Sequence, residues 1–216
     1  MTVTIAEELL LLAYKEDGKP LINSTQLDPA LAGAILAELA VADRVELSNK
    51  KLTLKDPAPV GDDELDATLT RIAAERKDRT PQWWVQRLHS AKLRTRLLTK
   101  LASAGVLTEE RGKVLGLFPI TRWLEAQPGV EANVRERISA VLAGADPDAR
   151  TAVLIAIMHA AKLDRKAFPG TSKARVKEIA EGAWAGDAVA KTIASINAAA
   201  MAAITAATTA TAGSSG

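Results

Sequence analysis

The stretch AILAELAVADRVEL, Ala34 to Leu47, decides how the chain reads, because RLLTKLASAGVLTE, Arg96 to Glu109, repeats it. Leu36, Leu39, Ala40 and Ala42 correspond to Leu98, Leu101, Ala102 and Ala104. In each copy apolar residues recur at helical spacing, then give way to a strand-like run. Each copy is therefore a helix that feeds a β-hairpin. Reuse of one supersecondary unit argues for one integrated domain rather than separate modules on a linker. The same unit is the local shape of a winged helix, which makes nucleic acid a candidate partner. Against that reading, the helix of the first copy, Leu31 to Ala42, carries no Lys or Arg for phosphate.

Outward from the repeat, helices are expected at about 4–14, 29–42, 63–78, 81–104 with a break near Ser90, 129–143, 148–162, 172–185 and 187–208. Asp28-Pro29, Thr80-Pro81 and Asp146-Pro147 each offer a capping side chain before a proline at the first helical position. Gly105 and Gly144 fall just past apolar runs, where a helix end favours a left-handed residue. RVELSNKKLTLKD, Arg44 to Asp56, alternates around Asn49-Lys50 and reads as a hairpin. GKVLGLFPITRWL, Gly112 to Leu124, is β-like around Pro119. The expected fold is mainly α: a single helical-core domain over 1–206 with short peripheral β-hairpins and winged-helix-like helix-hairpin units. The Ala/Thr/Gly/Ser residues 207–216 read as a disordered tail.

Composition narrows the function. Hydrophobic residues are 48% and charged residues 25%, as in an ordinary globular protein. A net charge of +2 means that any polyanion site must be a local patch. With no cysteine, disulfides, thiolate chemistry and Cys-based zinc sites are excluded, and a reducing cytoplasm fits. The opening MTVTIAEELLLLAYKEDGK has Glu7 and Glu8 before a short apolar run, so it reads as an amphipathic first helix with a Thr4/Glu7 capping box rather than a signal peptide. Ile193 to Ala207 reads as a buried core helix, too short and too weakly apolar to cross a bilayer.

No catalytic residues, cofactor or metal are expected. There is no GxGxxG after a strand, no Walker loop and no GxSxG. SxxK at Ser48–Lys51 falls on a polar turn, and the acids Asp62, Asp63, Glu64 and Asp66 suit a helix start. His159 sits in an apolar run and reads as a core histidine.

The informative segment is Gln82 to Trp123. Arg87, Lys92, Arg94, Arg96 and Lys100 crowd one helical region, with no carboxylate until Glu109. Lys92, Arg96 and Lys100 share one helix face by their spacing. Two readings stand: a solvated basic face, or an anion site in which arginine forks match phosphate. The next element favours the anion site. Leu115, Leu117, Phe118, Ile120, Trp123 and Leu124 load a short hairpin with apolar side chains on both faces. Such a hairpin is core, a subunit interface, or a tip that dips into lipid beside the basic helix.

These segments together resemble the Golgi phosphoprotein family (GPP34-type). The resemblance runs through IAEELLLLAYKEDGK, LAGAILAELAVADRVEL, APVGDDELDATL, LRTRLLTKLASAGVLTEE, VLGLFPITRWL and LIAIMHAAKL, nearly the whole chain. It implies a helical core with short hairpins, and a non-enzymatic, peripheral-membrane adaptor that binds phosphatidylinositol 4-phosphate in eukaryotic members. The family's headgroup positions fall on Asn23, Ala32, Ala91 and Arg94, of which Arg94 alone keeps the family residue. The Ala-rich composition looks like that of a bacterial relative, to which a Golgi role does not apply. The resemblance and the residues together lead us to expect lipid headgroup binding by Arg94, Lys92, Arg96 and Arg87. They also lead us to expect membrane or self-association through the hairpin. The expected partners are an anionic phospholipid surface on the inner face of the membrane of a cytoplasmic protein, a second copy of the chain, and protein clients of unknown kind; the alternatives are a winged-helix-like nucleic-acid-binding protein and a purely structural oligomerising protein.

Overall fold

The computed structural model describes residues 3–114, 118–181 and 187–212. Among these residues are ten helices: α1 (Ile5–Ala13), α2 (Ser24–Val41), α3 (Asp63–Ala74), α4 (Pro81–Leu88), α5 (Ala91–Ser103), α6 (Pro128–Leu142), α7 (Ala149–Ala160), α8 (Asp164–Ala167), α9 (Lys173–Ala180) and α10 (Asp187–Ala212). Two antiparallel hairpins complete the fold, β1 (Val45–Ser48) with β2 (Lys51–Leu54), and β3 (Leu107–Val114) with β4 (Phe118–Glu125). The architecture is mainly α with short peripheral β-hairpins, as the repeat implies.

A helix that is apolar all round belongs inside a protein. α2 is such a helix: Leu27 to Ala40 is buried without interruption, and α1, α3, α4, α5, α7 and α10 all pack on it. Its small residues allow close crossings, and a Cβ added at Gly33 would meet the Ala200 Cβ of α10 at 3.2 Å. This burial removes the first repeat's helix from any groove of a duplex, because a recognition helix must be exposed.

α10 is longer than the sequence pattern suggests. Its Ala190–Ala210 window has the length and mean hydropathy to cross a membrane, so the expectation that this segment is too short is corrected. Here, however, Ile193, Ile196, Ala199, Ala200, Ala203 and Ile204 are buried, and α10 packs along α2, α4 and α7 as a core helix. It continues to Ala212, so the first part of the expected tail is helical. Alanine is the best helix former, and the hydroxyls of Thr208 and Thr209 donate back to the carbonyls of Ile204 and Thr205. Residues 213–216 lie outside the described residues.

The reading of α1 as amphipathic is also corrected: all nine of its residues are buried, Glu7 and Glu8 included. Buried carboxylates need donors and opposite charges. The capping box supplies part, with the Thr4 amide donating to Glu7 at 2.7 Å. The rest arrives from distant elements. Lys100 of α5 lies 2.8 Å from Glu7, and Arg137 of α6 lies 2.7 Å from Glu8. On α2, Glu38 accepts from the Ile5 amide at 2.7 Å and pairs with Arg150 of α7. Burial pushes the Glu38 carboxyl above its ordinary pKa, and Arg150 pulls it the other way.

Helix starts follow side-chain capping. Thr80 caps α4 ahead of Pro81 as expected. α2 starts earlier than expected, capped by Asn23, which leaves Asp28 and Pro29 inside the helix. α7 is capped by Asp148, not Asp146, and its carboxylate accepts from both the amide and the hydroxyl of Thr151. α3 ends at Ala74 rather than near 78, because Arg79 is drawn to β2, where its carbonyl accepts from the Leu52 amide. Both repeat copies end alike. The Arg44 and Val106 amides reach back to the Leu39 and Leu101 carbonyls, with Asp43 and Gly105 in the left-handed region. Asn49 and Lys50 both have positive φ, which makes the first hairpin's two-residue turn.

The charge network gives a prediction. Lys100→Met should cost at least 3 kcal/mol, near the lower end of the ~3–5 typical when a buried carboxylate loses its partner. Lys92→Ala, about two turns away on the same helix, should stay within about 0.5 kcal/mol. Urea unfolding of the two variants checks this; equal costs would mean that Glu7 does not depend on Lys100.

Candidate anion-binding site

The basic segment folds as two helices meeting at a corner. α4 ends at Leu88 with His89 as its C-cap, and the Ser90 hydroxyl oxygen caps α5 by accepting from the Leu93 amide at 3.1 Å. The break expected near Ser90 is therefore present. The cations around it differ sharply in their partners. Arg94 pairs with Asp28 of α2, and Arg96 with Glu64 of α3. Lys100 pairs with Asp62, the N-cap of α3, as well as with Glu7. Burial works against the charge on Lys100, but the Asp62 and Glu7 carboxylates hold its pKa above the ordinary value. Arg87 and Lys92 are exposed and make no ion pair among the described residues.

This corrects the picture of a basic face free of carboxylates. The carboxylates are absent from the segment but arrive in space from α1, α2 and α3. Replacing Lys92, Arg94 and Arg96 together would remove two ion pairs, Arg94–Asp28 and Arg96–Glu64, along with the exposed charge of Lys92. The acids of α3 have a double role: Asp62 accepts from the amides of Glu64 and Leu65 and also holds Lys100.

Beside the corner lies a cleft of about 430 Å³ between the α1–α2 connection, α5 and the second hairpin. Tyr14, Ser24, Arg94, Thr95, Thr121 and Trp123 are among its walls. Asp28 is nearly buried, and burial raises its pKa while Arg94 opposes the rise. Burial likewise pushes the Tyr14 hydroxyl up, with Arg94 again acting in the opposite sense. Of the positions matched to the family's headgroup site, Arg94 lines the cleft and Ala91 is exposed at the start of α5. Asn23 caps α2, and Ala32 is fully buried in the core. The hydroxyls of Ser24 and Thr95 and the role of Asp28 had no local signal in the sequence.

The second hairpin forms one wall. Its register pairs Glu109 with Trp123, Glu110 with Arg122 and Gly112 with Ile120. Opposite residues share a face, so Trp123 points to one side while Ile120, Arg122 and Leu124 stand on the other. Trp123 is buried, and Ile120 and Leu124 are half-buried. The partner strand is polar and exposed from Thr108 to Lys113. Among the described residues β4 thus carries apolar side chains on both faces, Trp123 on one and Ile120 with Leu124 on the other, while β3 is polar and charged from Thr108 to Lys113. Leu115 and Leu117 lie outside the described residues; Phe118 is described only by its register, opposite Val114. The base of the hairpin sits on the α1–α2 connection at Gly18, which has φ +72°, and an added Cβ there would come within 2.8 Å of the Arg122 Cβ.

Fold and site together define a helical module with a cationic corner beside a surface cleft. The family model described as Golgi phosphoprotein 3 (GPP34) matches residues 5–196, and the chain belongs to that family. The family is one of non-enzymatic, phosphoinositide-binding adaptors that are peripheral and cytoplasmic at the Golgi membrane.

The Arg94–Asp28 pair is testable by stability. Arg94→Ala should cost about 2–3 kcal/mol, below the full figure for a buried pair because both groups keep some solvent. Adding Asp28→Asn should recover more than half of the loss, since the stranded charge is then gone. Urea unfolding of the single and double variants measures it. A cost near 0.5 kcal/mol for Arg94→Ala would mean that the pair contributes little.

Proposed function

We propose that this chain is a peripheral-membrane adaptor that docks on anionic lipid headgroups through the α4–α5 corner, with the second hairpin lying against the membrane surface. The observation that carries this reading is the sorting of the cations. Arg94, Arg96 and Lys100 are occupied by carboxylates, whereas Arg87 and Lys92 flank the corner exposed and without an acidic partner among the described residues. Arg94 lines the adjoining cleft, where a phosphate could compete with Asp28 for it. Family membership supports the same class of ligand. Phosphatidylinositol 4-phosphate in particular has less support, because Asn23, Ala32 and Ala91 lack the charge or ring of the family's site.

Each basic residue near an anionic leaflet contributes about 1 kcal/mol, and an apolar side chain entering the interface adds to that. Binding built on so few contacts is reversible and sensitive to salt. Co-sedimentation with vesicles of mixed neutral and anionic lipid tests it. Arg87→Ala with Lys92→Ala should lower the vesicle affinity on the order of tenfold while leaving the melting temperature unchanged. Leu117→Ser with Phe118→Ser should weaken binding without lowering the helical signal. Undiminished binding by the Arg87/Lys92 variant would place the headgroup contact elsewhere. Equal binding to purely neutral vesicles would contradict an electrostatic site altogether.

A further inference from the structure

A second cavity lies away from the α4–α5 corner, among α6, α7, α8 and α9, and shares no wall residue with the cleft. Its volume is about 300 Å³, at the small end of the roughly 300–1,000 Å³ range of ligand pockets. Ile138, Leu142, Ile155, Met158, Phe168 and Val176 give it apolar walls, of which Leu142 and Phe168 are half-buried and keep accessible surface. Leu142 and residues 168–171 also border a cleft of about 530 Å³, so the two spaces adjoin.

The charge at this cavity is sorted as it is at the corner. Arg165 and Lys173 belong to the lining; both are exposed, and neither makes an ion pair among the described residues. Arg175, by contrast, is occupied, donating to the carbonyls of Val141 and Ala145 and pairing with Glu178. Asp164 also borders the cavity, but its Oδ2 is held by His159 Nδ1 at 2.9 Å and its Oδ1 is buried. α9 begins here with Lys173, and the amides of Lys173 and Ala174 donate no hydrogen bond among the described residues.

These features make two demands. Apolar walls around empty volume forgo dispersion contacts. Two unpaired cations at a helix start, which itself carries partial positive charge, favour an anion. A neutral apolar ligand covers the walls but leaves the cations to water. A small inorganic anion meets the cations but leaves the walls bare. A cationic amphiphile sets like charge beside Arg165 and Lys173. A carboxylate on a slender alkyl chain answers both demands: the arginine fork matches its head, and its tail follows the apolar walls past Leu142.

We propose that this cavity binds a free medium-chain fatty acid, with the alkyl chain against Leu142, Phe168 and Val176 and the carboxylate at Arg165 and Lys173. The site is separate from the headgroup corner and does not rest on the membrane reading.

Isothermal titration of the full chain with octanoate, in the absence of vesicles, tests the proposal. Octanol and octyltrimethylammonium keep the tail without the anion, and acetate keeps the head without the tail. Saturable octanoate binding is expected, strengthening about fourfold per methylene from hexanoate upward. Octanol and octyltrimethylammonium should bind roughly tenfold more weakly or worse, and acetate should not saturate. Arg165→Ala with Lys173→Ala should weaken octanoate roughly tenfold or more at an unchanged melting temperature, because exposed unpaired cations contribute little to folding. Leu142→Trp narrows the cavity from a half-exposed position and should abolish binding with circular dichroism unchanged. Absence of saturable octanoate binding would overturn the proposal. So would octanol binding as tightly as octanoate, or full affinity in the Arg165/Lys173 variant.

Discussion

The ion pair between Glu7 and Lys100 ties the buried first helix to α5 at 2.8 Å. α1 is buried on all sides, yet it carries two adjacent carboxylates. Such a helix is tolerable only where cations reach it, and they come from three directions: Lys100 on α5, Arg137 on α6 and Arg150 on α7. The last also grips Glu38 and the Val3 carbonyl, so that it ties the start of α1 to the central helix. Hydrophobic burial favours a compact core of any orientation. The charged contacts specify which helix ends meet, since a mispacked α1 would strand carboxylates away from their partners.

The same constraint sorts the basic residues for function. Once Lys100 serves the core and Arg96 serves the start of α3, the cations of the α4–α5 segment left without an ion pair among the described residues are Arg87 and Lys92, with Arg94 paired to Asp28 at the edge of the cleft. The hairpin is placed by related means, with Trp123 buried at its base and Gly18 admitting the close approach of β4. In the proposed docking mode stability and binding are separate, because the charges paired inside the fold are not those offered to a membrane.

Much of the fold was legible because its signals are local. The Thr4/Glu7 box, the Thr80-Pro81 start, the Asn49-Lys50 turn and the helix-to-hairpin repeat each depend on residues a few positions apart. Legibility failed where distant partners decide. Asp28 looked like a cap beside Pro29, but Asn23 supplies the cap and Asp28 faces Arg94, which lies 66 positions away. Glu64 and Arg96 are 32 positions apart, and nothing in their spacing announces the pair. α1 looked amphipathic because Glu7 and Glu8 resemble a solvent face; only the placement of Lys100 and Arg137 makes them interior. The apolar residues on both faces of β4 were legible from their order, whereas the polar run of β3 opposite them, Thr108 to Lys113, follows only from the register.

The central claim is that carboxylate pairing leaves Arg87 and Lys92 as the charges that meet phosphate. Side-chain NMR of the lysine ammonium and arginine guanidinium groups, during titration with a soluble inositol bisphosphate, addresses it directly. The account predicts saturable shifts for Arg87 and Lys92, with Lys100 and Arg96 unmoved. Shifts at Lys100 and Arg96 with Arg87 and Lys92 stationary would contradict it.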